Sequence, residues 1–513
     1  MNPRIYRMEF MRYANKKLYL RKLIFCIMST IFDLAPQNVW KHFYALTQIP
    51  RPSGHMEKIT EFLVNFGKGL GLEALVDEAG NVIIRKPATP GMENRKGVIL
   101  QAHMDMVPQK NNDTVHDFTT DPIQAYVDGD WVKAKGTTLG ADNGMGVAAI
   151  MAVLEANDLK HGPLEALITK DEETGMFGAF GLKPGTLQGE ILLNLDSEDE
   201  GELYIGCAGG VDFTATLEYK EEAFPAGWVA RKLTLKGLRG GHSGLEINQG
   251  RGNANKLLAR VVHDLLIEFD CQLASFEGGN MRNAIPREAH AVLAFNPEDM
   301  EDLDNYIEEY EAQIAAEYET IESGISLKME EVELPLLVVP AEIQDNLIDA
   351  LMACQNGVMR MIPTVPDTVE TSSNLAIVYI GEGKANVKIL ARSSCDTMKD
   401  FLTDSLTACF SMAGMKVELS GAYSGWQPNV NSPILHAMKL SYKQQFGVEP
   451  AVKVIHAGLE CGIIGANCPG LDMISFGPTL RSPHSPDERA LIPTVAKFYD
   501  FLVATLEQTP VRE

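Results

Sequence analysis

Short runs of branched apolar residues recur along the chain and predict strands that are buried on both faces. They lie at 98–107, 164–169, 189–197 and 473–476, and the first reads Val-Ile-Leu-Gln-Ala-His-Met-Asp-Met-Val. Strands of this kind usually belong to a parallel sheet that helices cover on both sides. The pattern therefore predicts an α/β fold of the doubly wound type.

Apolar residues three or four positions apart predict amphipathic helices over 36–46 and 56–69. From about residue 211 the pattern changes to alternating strands and acidic amphipathic helices, which cover 255–269, 299–322 and 340–355. No convincing internal repeat is visible there, although the stretch is long enough to hide two similar halves. Strongly apolar strands return after the turn-rich stretch that ends near residue 428.

The length of 513 residues is too great for a single hydrophobic core. We therefore expect an α/β domain in two segments, 29–210 and 423–513, and an inserted α+β domain over 211–422. Residues 1–28 carry seven basic side chains against one acid, and they end in six apolar residues with no cleavage site behind them. Because signal peptides have longer apolar segments, ~7–15 residues, we expect a non-domain extension with Met28 as the working initiator.

Charge and cysteine usage narrow the class of protein. The net charge of −24, from 69 acidic and 45 basic residues, argues against a nucleic-acid partner, which would require a basic surface. Eight cysteines without Cys-x-x-Cys pairs favour reduced thiols over a zinc ribbon or a disulfide scaffold. No later apolar run reaches the ~20 residues that cross a bilayer. We expect a cytoplasmic protein without a membrane partner.

His103 and Asp105 lie where the first buried strand runs out, and side chains two apart in an extended chain point to the same side. A histidine beside a carboxylate suits a metal ligand with the acid that orients its ring. A capped strand end is the alternative interpretation of this pair taken alone.

More acids and a second histidine stand where other elements end. Asp142 follows a glycine-rich stretch and precedes an apolar helix, where a simple helix cap is the alternative. Glu172 and Glu173 follow the second buried strand, Asp196 lies at the end of the third, and His484 lies in a turn-rich loop near the end of the chain. Surface acids are the alternative for the two adjacent glutamates.

These positions supply two imidazoles and three carboxylates: His103, Asp142, Glu173, Asp196 and His484. Nitrogen and oxygen donors without thiolate suit Zn²⁺, Mn²⁺ or Co²⁺. With one bridging carboxylate such a set can hold two ions ~3.5–4 Å apart. The sequence therefore predicts a site for two divalent metal ions.

Seven motifs resemble, in order, those of the M20 metallopeptidases, and among these the aminoacyl-histidine dipeptidase (peptidase D, carnosinase-like) subfamily. The motifs are Ala-His-Met-Asp at 102–105, Gly-Ala-Asp-Asn-Gly at 140–144, Asp-Glu-Glu-Thr-Gly at 171–175, Leu-Asp-Ser-Glu at 195–198, Gly-Gly-His-Ser-Gly at 240–244, Arg-Asn-Ala-Ile-Pro at 282–286 and His-Ala-Gly-Leu-Glu-Cys-Gly at 456–462. The resemblance runs from about Met28 to the last residue. It implies a zinc-peptidase catalytic domain in the two α/β segments and a lid or dimerisation domain over 211–422.

The resemblance also implies a division of the ligands between two ions. Asp142 would bridge them, with His103 and Asp196 completing one site and Glu173 and His484 the other. Zn²⁺ is the expected metal, with Co²⁺ or Mn²⁺ as alternatives.

Three further features follow from the same resemblance. Asp105 would hold the ring of His103, and Glu172 would be the general base. A cis peptide bond is implied at Asp142–Asn143.

In the lid, the resemblance implies that His242 steadies the tetrahedral oxyanion, although a turn histidine among glycines is the alternative. Asn283 and Arg392 would grip the substrate, and a guanidinium suits the C-terminal carboxylate of a dipeptide because it binds it bidentately. A structural ion pair is the alternative for Arg392. Glu460 would meet the substrate's free amine. Small lids of related families form dimers and an enlarged lid can imitate the missing partner; we expect a homodimer.

The function implied is that of a cytosolic dinuclear-metal dipeptidase. It would hydrolyse dipeptides with a free amino terminus, including Xaa-His dipeptides such as carnosine, by a metal-activated water with Glu172 as base. An N-acyl amino acid deacylase or a tripeptidase on the same scaffold is the alternative. A non-catalytic binding protein that keeps the fold is a third possibility.

Overall fold

The structure is a computed structural model that describes residues 30–512, so the extension predicted at 1–28 lies outside the described residues. The strands are β1 Glu73–Val76, β2 Val82–Lys86, β3 Val98–His103, β4 Ala125–Asp128, β5 Trp131–Ala134, β6 Leu164–Thr169, β7 Ile191–Asn194, β8 Glu202–Cys207, β9 Gly209–Glu218, β10 Glu222–Ala223, β11 Val229–Lys236, β12 Gly241–His242, β13 Cys271–Gly278, β14 Ala284–Ile285, β15 Ala289–Phe295, β16 Ser326–Glu331, β17 Leu337–Val338, β18 Gly357–Met361, β19 Val369–Gly381, β20 Lys384–Ser393, β21 Lys416–Tyr423, β22 Ala451–Ile455, β23 Asp472–Ser475, β24 Leu480–Arg481 and β25 Arg489–Leu491. The α-helices are α1 Gln37–Thr47, α2 Glu57–Gly69, α3 Ala141–Glu155, α4 Phe177–Gly181, α5 Ala254–Glu268, α6 Met300–Glu317, α7 Ala341–Ala353, α8 Asp396–Met412, α9 Pro433–Phe446, α10 Glu460–Asn467 and α11 Ile492–Glu507.

The described chain divides into two compact units. The first comprises the described residues up to Ile205 together with Asn429–Lys453 and the residues from Ile463 onward, and the second comprises Gly206–Pro428 and Val454–Gly462. The stretch 454–462, which the sequence analysis places in the second catalytic segment, thus belongs to the second unit. None of the helices between residues 30 and 512 combines the length and the apolar content that a bilayer-spanning helix needs.

The first unit contains an eight-stranded sheet in the order β1-β2-β6-β3-β7-β23-β8-β22. Its centre is parallel, because β3 pairs in parallel with both β6 and β7, and β7 pairs in parallel with β23. All six residues of β3 are buried, as the apolar run at its start predicts. The register of His103 opposite Thr169 brings the ends of β3 and β6 to the same edge of the sheet. Open α/β sheets bind ligands at this carboxyl edge.

A second, four-stranded sheet of this unit has the order β24-β25-β5-β4. Strand β25 pairs with β5 through Arg489 opposite Lys133 and Leu491 opposite Trp131. The loop between β24 and β25 carries His484, and the loop after β5 leads into α3. Helix α3 has buried residues on every side, which accounts for its almost wholly apolar sequence.

The second unit is built on a nine-stranded sheet whose main path is β16-β11-β15-β13-β19-β20-β9-β21. Strands β11, β13, β15 and β16 with helices α5 and α6 form one β-α-β-β-α-β half. Strands β9, β19, β20 and β21 with α7 and α8 form another, and in both halves the spatial order is fourth, first, third, second. The halves join through the antiparallel pair β13 and β19, where Phe276 faces Ile380.

The predicted helices of both units are confirmed, with ends that differ from the expected ones by at most five residues. The α/β fold with an inserted α+β region is also confirmed. The internal repeat that the sequence hides is present in the topology, since the two halves share their strand order but not a visible residue pattern.

Candidate metal centre

His103, the last residue of β3, lies beside Asp105 at the carboxyl edge of the sheet. Both side chains are buried, and His103 Nδ1 lies 3.4 Å from Asp105 Oδ1. The ring's other nitrogen, Nε2, faces Asp142 Oδ1 at 3.1 Å and Asp196 Oδ1 at 3.4 Å. The imidazole therefore has an orienting carboxylate on one side and two potential co-ligands on the other.

Asp142 lies between two histidines. Its Oδ1 is 3.1 Å from His103 Nε2, and its Oδ2 is 3.2 Å from His484 Nε2. The peptide bond between Asp142 and Asn143 is cis, as the family resemblance implies. Each oxygen of one carboxylate thus faces a different imidazole, which is the arrangement that a bridging ligand requires.

The adjacent glutamates of the 171–175 motif are held by Asp105. Its Oδ1 accepts a hydrogen bond from the N–H of Glu172 (3.0 Å) and its Oδ2 from the N–H of Glu173 (3.2 Å). Ser53 Oγ donates to the same carboxylate at 2.7 Å. Glu173 Oε2 lies 3.0 Å from His484 Nε2. One buried acid therefore fixes the backbone from which both glutamates project.

Within residues 30–512, three groups of side chains have potential ligand atoms within 4.8 Å of one another: His103 with Asp142 and Asp196, Asp142 with Glu173 and His484, and His103 with Glu172 and Glu173. The first two groups match the predicted division of ligands and share Asp142. The structure thus brings together all five predicted ligands. It also places Glu172 at the same cluster.

The pKa values follow from the crowding of acids and imidazoles. Burial raises the pKa of Glu173 and of Asp196, and the nearby charge of Asp142 adds to both shifts. Hydrogen bonds to Asp142 and Glu173 raise the pKa of His484 to about 11. Burial would raise the pKa of Asp105, but hydrogen bonds from His103, Ser53 and the N–H of Glu172 outweigh it and hold that pKa at about 2.

The side chains of this cluster fit a pair of divalent cations. Oε1 of Glu173 is buried and, among the described residues, has no hydrogen-bond partner. Carboxylates this close repel one another unless positive charge compensates them, and a buried charge needs a partner. The donor set of imidazole nitrogen and carboxylate oxygen is one that Zn²⁺, Mn²⁺ and Co²⁺ accept.

In the second unit, β12 pairs with β14 so that His242 lies opposite Ala284, and Ser243 N–H donates to the carbonyl of Asn283 at 2.8 Å. His242 Nδ1 accepts the N–H groups of Gly244 and Leu245, both at 3.1 Å. The ring proton therefore resides on Nε2, which becomes a hydrogen-bond donor. Burial and the charge of Arg392 lower the pKa of His242.

Arg392 and Glu460 are both buried side chains of the second unit. Arg392 Nη1 donates to the hydroxyl of Tyr423 at 3.2 Å, and its charge lowers the pKa values of His242 and His456. Glu460 begins α10 and is completely buried. The structure therefore brings His242, Asn283 and Arg392 into one region of this unit.

His456 is a buried histidine that the sequence analysis did not single out. Its Nε2 lies 2.7 Å from Ser372 Oγ. Burial, together with the charges of Arg392 and His242, lowers the pKa of His456 to about 3. The folded protein therefore keeps this imidazole neutral where an unfolded chain would protonate it.

The metal-free protein is expected to lose stability as the pH falls below 6.5, in part because of His456. The unfolded chain binds a proton near the ordinary pKa of 6.5, whereas the folded protein binds it only near 3. In this window one extra proton on the unfolded state lowers the free energy of unfolding by about 1.4 kcal/mol per pH unit. His456→Gln should reduce that slope, as measured by urea unfolding between pH 7 and 5.

The exposed His436 provides the control, since His436→Gln changes the same residue type at a surface position. If the free energy of unfolding changed equally with pH in wild type and in H456Q, His456 would not contribute to the loss of stability.

Two residues near the cluster, Arg51 and Glu198, were not predicted as site residues from the sequence. Arg51 is buried and donates to the carbonyls of Met104 and Asp105 at 3.0 and 2.9 Å, although its Pro-Arg-Pro context predicts only a break between helices. Burial and the charges of Asp142 and Asp196 raise the pKa of Glu198 to about 8. In the sequence, only the position of Glu198 in the motif Leu-Asp-Ser-Glu indicated that this residue lies near the site.

The profile of Peptidase family M20/M25/M40 matches residues 99–508. The cytosol non-specific dipeptidase of Escherichia coli is 47% identical over 485 residues, which are 94% of this chain and 100% of that protein.

Among solved structures, the aminoacylhistidine dipeptidase from Vibrio alginolyticus superposes with a TM-score of 0.91 and 49% identity, over 95% of this chain and 99% of that one. An aminopeptidase PepT from Bacillus cereus has a TM-score of 0.55 at 15% identity, over 93% and 99% of the two chains. The latter likeness shows the fold alone.

Proposed function

The chain belongs to peptidase family M20/M25/M40, and we propose that it hydrolyses dipeptides with a free amino terminus at a pair of divalent cations. Two relatives that are close to half identical to it over nearly their whole lengths are named as dipeptidases. The family is one of metal-dependent peptidases. The chain is therefore a dipeptidase. The proposal concerns which ions it binds and which role each residue of the site has.

The observation that carries the proposal is the position of Asp142 between His103 and His484. Because its two oxygens face the two imidazoles at 3.1 and 3.2 Å, one carboxylate can serve two ions at once. His103 and Asp196 would complete one site, and Glu173 and His484 the other. We assign Zn²⁺ to both, with Co²⁺ or Mn²⁺ as substitutes. When bound, such ions act as Lewis acids that polarise a carbonyl and make a water molecule more acidic.

Glu172 is assigned the role of general base. Its backbone is held by Asp105, and its carboxylate lies within reach of the ligand cluster. In this role Glu172 takes a proton from the attacking water as the carbon–oxygen bond forms. It then gives that proton to the departing amine as the carbon–nitrogen bond breaks. Asp105 acts indirectly, because it orients the ring of His103 and anchors the Glu172 backbone.

The groups assigned to the substrate lie in the second unit. His242 carries its proton on Nε2, and this donor suits the oxyanion of a tetrahedral intermediate. Arg392 is assigned to the C-terminal carboxylate, and Asn283 to a polar contact beside it. Glu460 is assigned to the free amine, which a carboxylate attracts.

A matched substrate pair tests the proposal: β-Ala-His and its N-acetyl derivative. The free dipeptide should have a kcat/KM at least about 100-fold higher, because acetylation removes the ammonium charge that is assigned to the Glu460 carboxylate. Steady-state rates on these two, on N-acetyl amino acids and on tripeptides provide the measurement. Faster turnover of N-acetyl amino acids or of tripeptides would favour the deacylase or tripeptidase alternative, and no turnover of any dipeptide would refute the proposal.

Two further assignments accompany the proposal. The cytosol is the proposed compartment, supported by the name of the Escherichia coli relative. A homodimer is the proposed assembly, and sedimentation measures it. A monomer at micromolar concentration would reject the dimer without affecting the assigned chemistry.

A further inference from the structure

Glu488 is a buried acid in the segment that carries His484, and its carboxylate accepts hydrogen bonds from four consecutive backbone N–H groups. Oε2 accepts from the N–H groups of Leu139 (2.7 Å) and Gly140 (2.9 Å). Oε1 accepts from those of Ala141 (2.7 Å) and Asp142 (3.1 Å). The exposed fraction of Glu488 is only 2%. One side chain thus satisfies the N–H groups of the two residues before α3 and of its first two residues, which have no partner within the helix.

The same loop is held from its other side by Arg51. The Arg51 Nη2 group donates to the carbonyl of Gly140, whose N–H is bonded to Glu488. Gly140 has a φ of +69°, and an added Cβ would lie 2.6 Å from Arg51 Nη2 and 2.8 Å from Met106 Sδ. The backbone that leads into Asp142 is therefore fixed between the buried carboxylate of Glu488 and the buried guanidinium of Arg51.

Glu488 also connects this loop to the second histidine of the cluster. It follows His484 by four residues and immediately precedes β25, whose Arg489 pairs with Lys133 of β5. His484 itself has a φ of +59°, a conformation that favours glycine and needs support from its surroundings. The bonds from Glu488 to residues 139–142 fix the spacing between the two segments that carry Asp142 and His484.

We infer that Glu488 is a positioning residue that ties the Asp142 segment to the His484 segment and so sets the affinity of the Asp142–Glu173–His484 site for its ion. This inference rests on the proposed dinuclear function. It differs from a plain helix cap, because a cap stabilises the fold to the same extent with and without metal.

The test compares wild type with Glu488→Gln and with Asp487→Asn. The glutamine has the same shape, but its NH₂ group would face two of the four N–H donors instead of accepting from them. Asp487 is the adjacent exposed acid, and its substitution removes one charge without touching residues 139–142. Each protein is prepared metal-free and titrated with Co²⁺, with the visible absorption band as readout. Melting temperatures are measured with and without the ion.

Wild type and D487N should bind two Co²⁺ ions per chain. E488Q should bind the second ion about 10- to 100-fold more weakly, in line with other residues that orient metal ligands. The rise in melting temperature on adding Co²⁺ should also be smaller in E488Q. The inference would be overturned if E488Q had the wild-type affinity for Co²⁺ and the wild-type rise in melting temperature, but melted at a lower temperature both with and without the ion. Glu488 would then act only as a helix cap.

If E488Q does not fold, Glu488→Asp provides the test, since it keeps the charge but shortens the side chain by one methylene group. The same loss of affinity is then expected, and wild-type affinity would overturn the inference. The two proposals fail separately. A wild type that binds no metal would refute the proposed function, whereas a wild type with two ions and an E488Q variant with the same affinity would refute only the role of Glu488.

Discussion

Glu172→Gln is expected to lower kcat on a dipeptide by about 10²–10⁴-fold while both ions stay bound. The amide cannot accept the proton of the attacking water, but it leaves the five assigned ligands in place. Metal content by mass spectrometry and kcat for β-Ala-His are the two measurements. The neighbouring Glu173 offers a matched contrast, because Glu173→Gln makes the same chemical change one residue away.

E173Q should lose the ion of the Asp142–Glu173–His484 site, whereas E172Q should retain two ions per chain. The contrast matters because Glu172 also lies within ligand distance of His103 and Glu173. Loss of an ion from E172Q would make this residue a ligand instead of the base. Wild-type turnover in E172Q would remove it from the reaction.

Removal of the divalent ions by a strong chelator is expected to abolish dipeptide hydrolysis, with a loss of at least about 10³-fold in kcat/KM. Without cations the cluster can only share protons between its carboxylates and imidazoles, as the raised pKa values of His484 and Glu173 indicate. Zn²⁺, Co²⁺ or Mn²⁺ should restore activity. Mg²⁺ should restore little, because it prefers an all-oxygen octahedral site.

Activity should rise until two equivalents of ion per chain are present. Full activity in a chelated, metal-free preparation would contradict the account. Saturation of both activity and binding at one equivalent would reduce the site to a mononuclear one.

The spacing of apolar residues predicted the main strands and helices, and the positions of polar residues at strand ends predicted the metal ligands. The apolar run at the start of β3 signals its complete burial, and the spacing of His103 and Asp105 signals that their side chains meet. The acidic helices of the second unit follow from the helical spacing of their apolar residues. These features are local, so a pattern within ten or twenty residues suffices to reveal them.

The supporting contacts of the cluster could not be predicted in the same way. Arg51 and Glu488 bind backbone carbonyl and N–H groups that lie up to several hundred residues away in the chain. Backbone N–H and carbonyl groups are the same in almost every residue, so no pattern of side chains predicts which of them a distant residue will bind. Arginine and glutamate are also mostly surface residues, so the sequence alone does not predict that these two are buried.

The duplication in the second unit was hidden for a related reason. Its two halves share the strand order of a β-α-β-β-α-β unit, but one half is inserted between β9 and α7 of the other. Pairing between strands distant in sequence defines the repeat. Apolar alternation alone cannot reveal that pairing.

The central claim is that His103, Asp142, Glu173, Asp196 and His484 hold two ions that share the carboxylate of Asp142. Anomalous scattering at the zinc edge from crystals of the zinc-loaded protein tests it most directly. The account predicts two peaks about 3.5–4 Å apart, one on each side of the Asp142 carboxylate. A single peak, or a pair that does not flank Asp142, would contradict it.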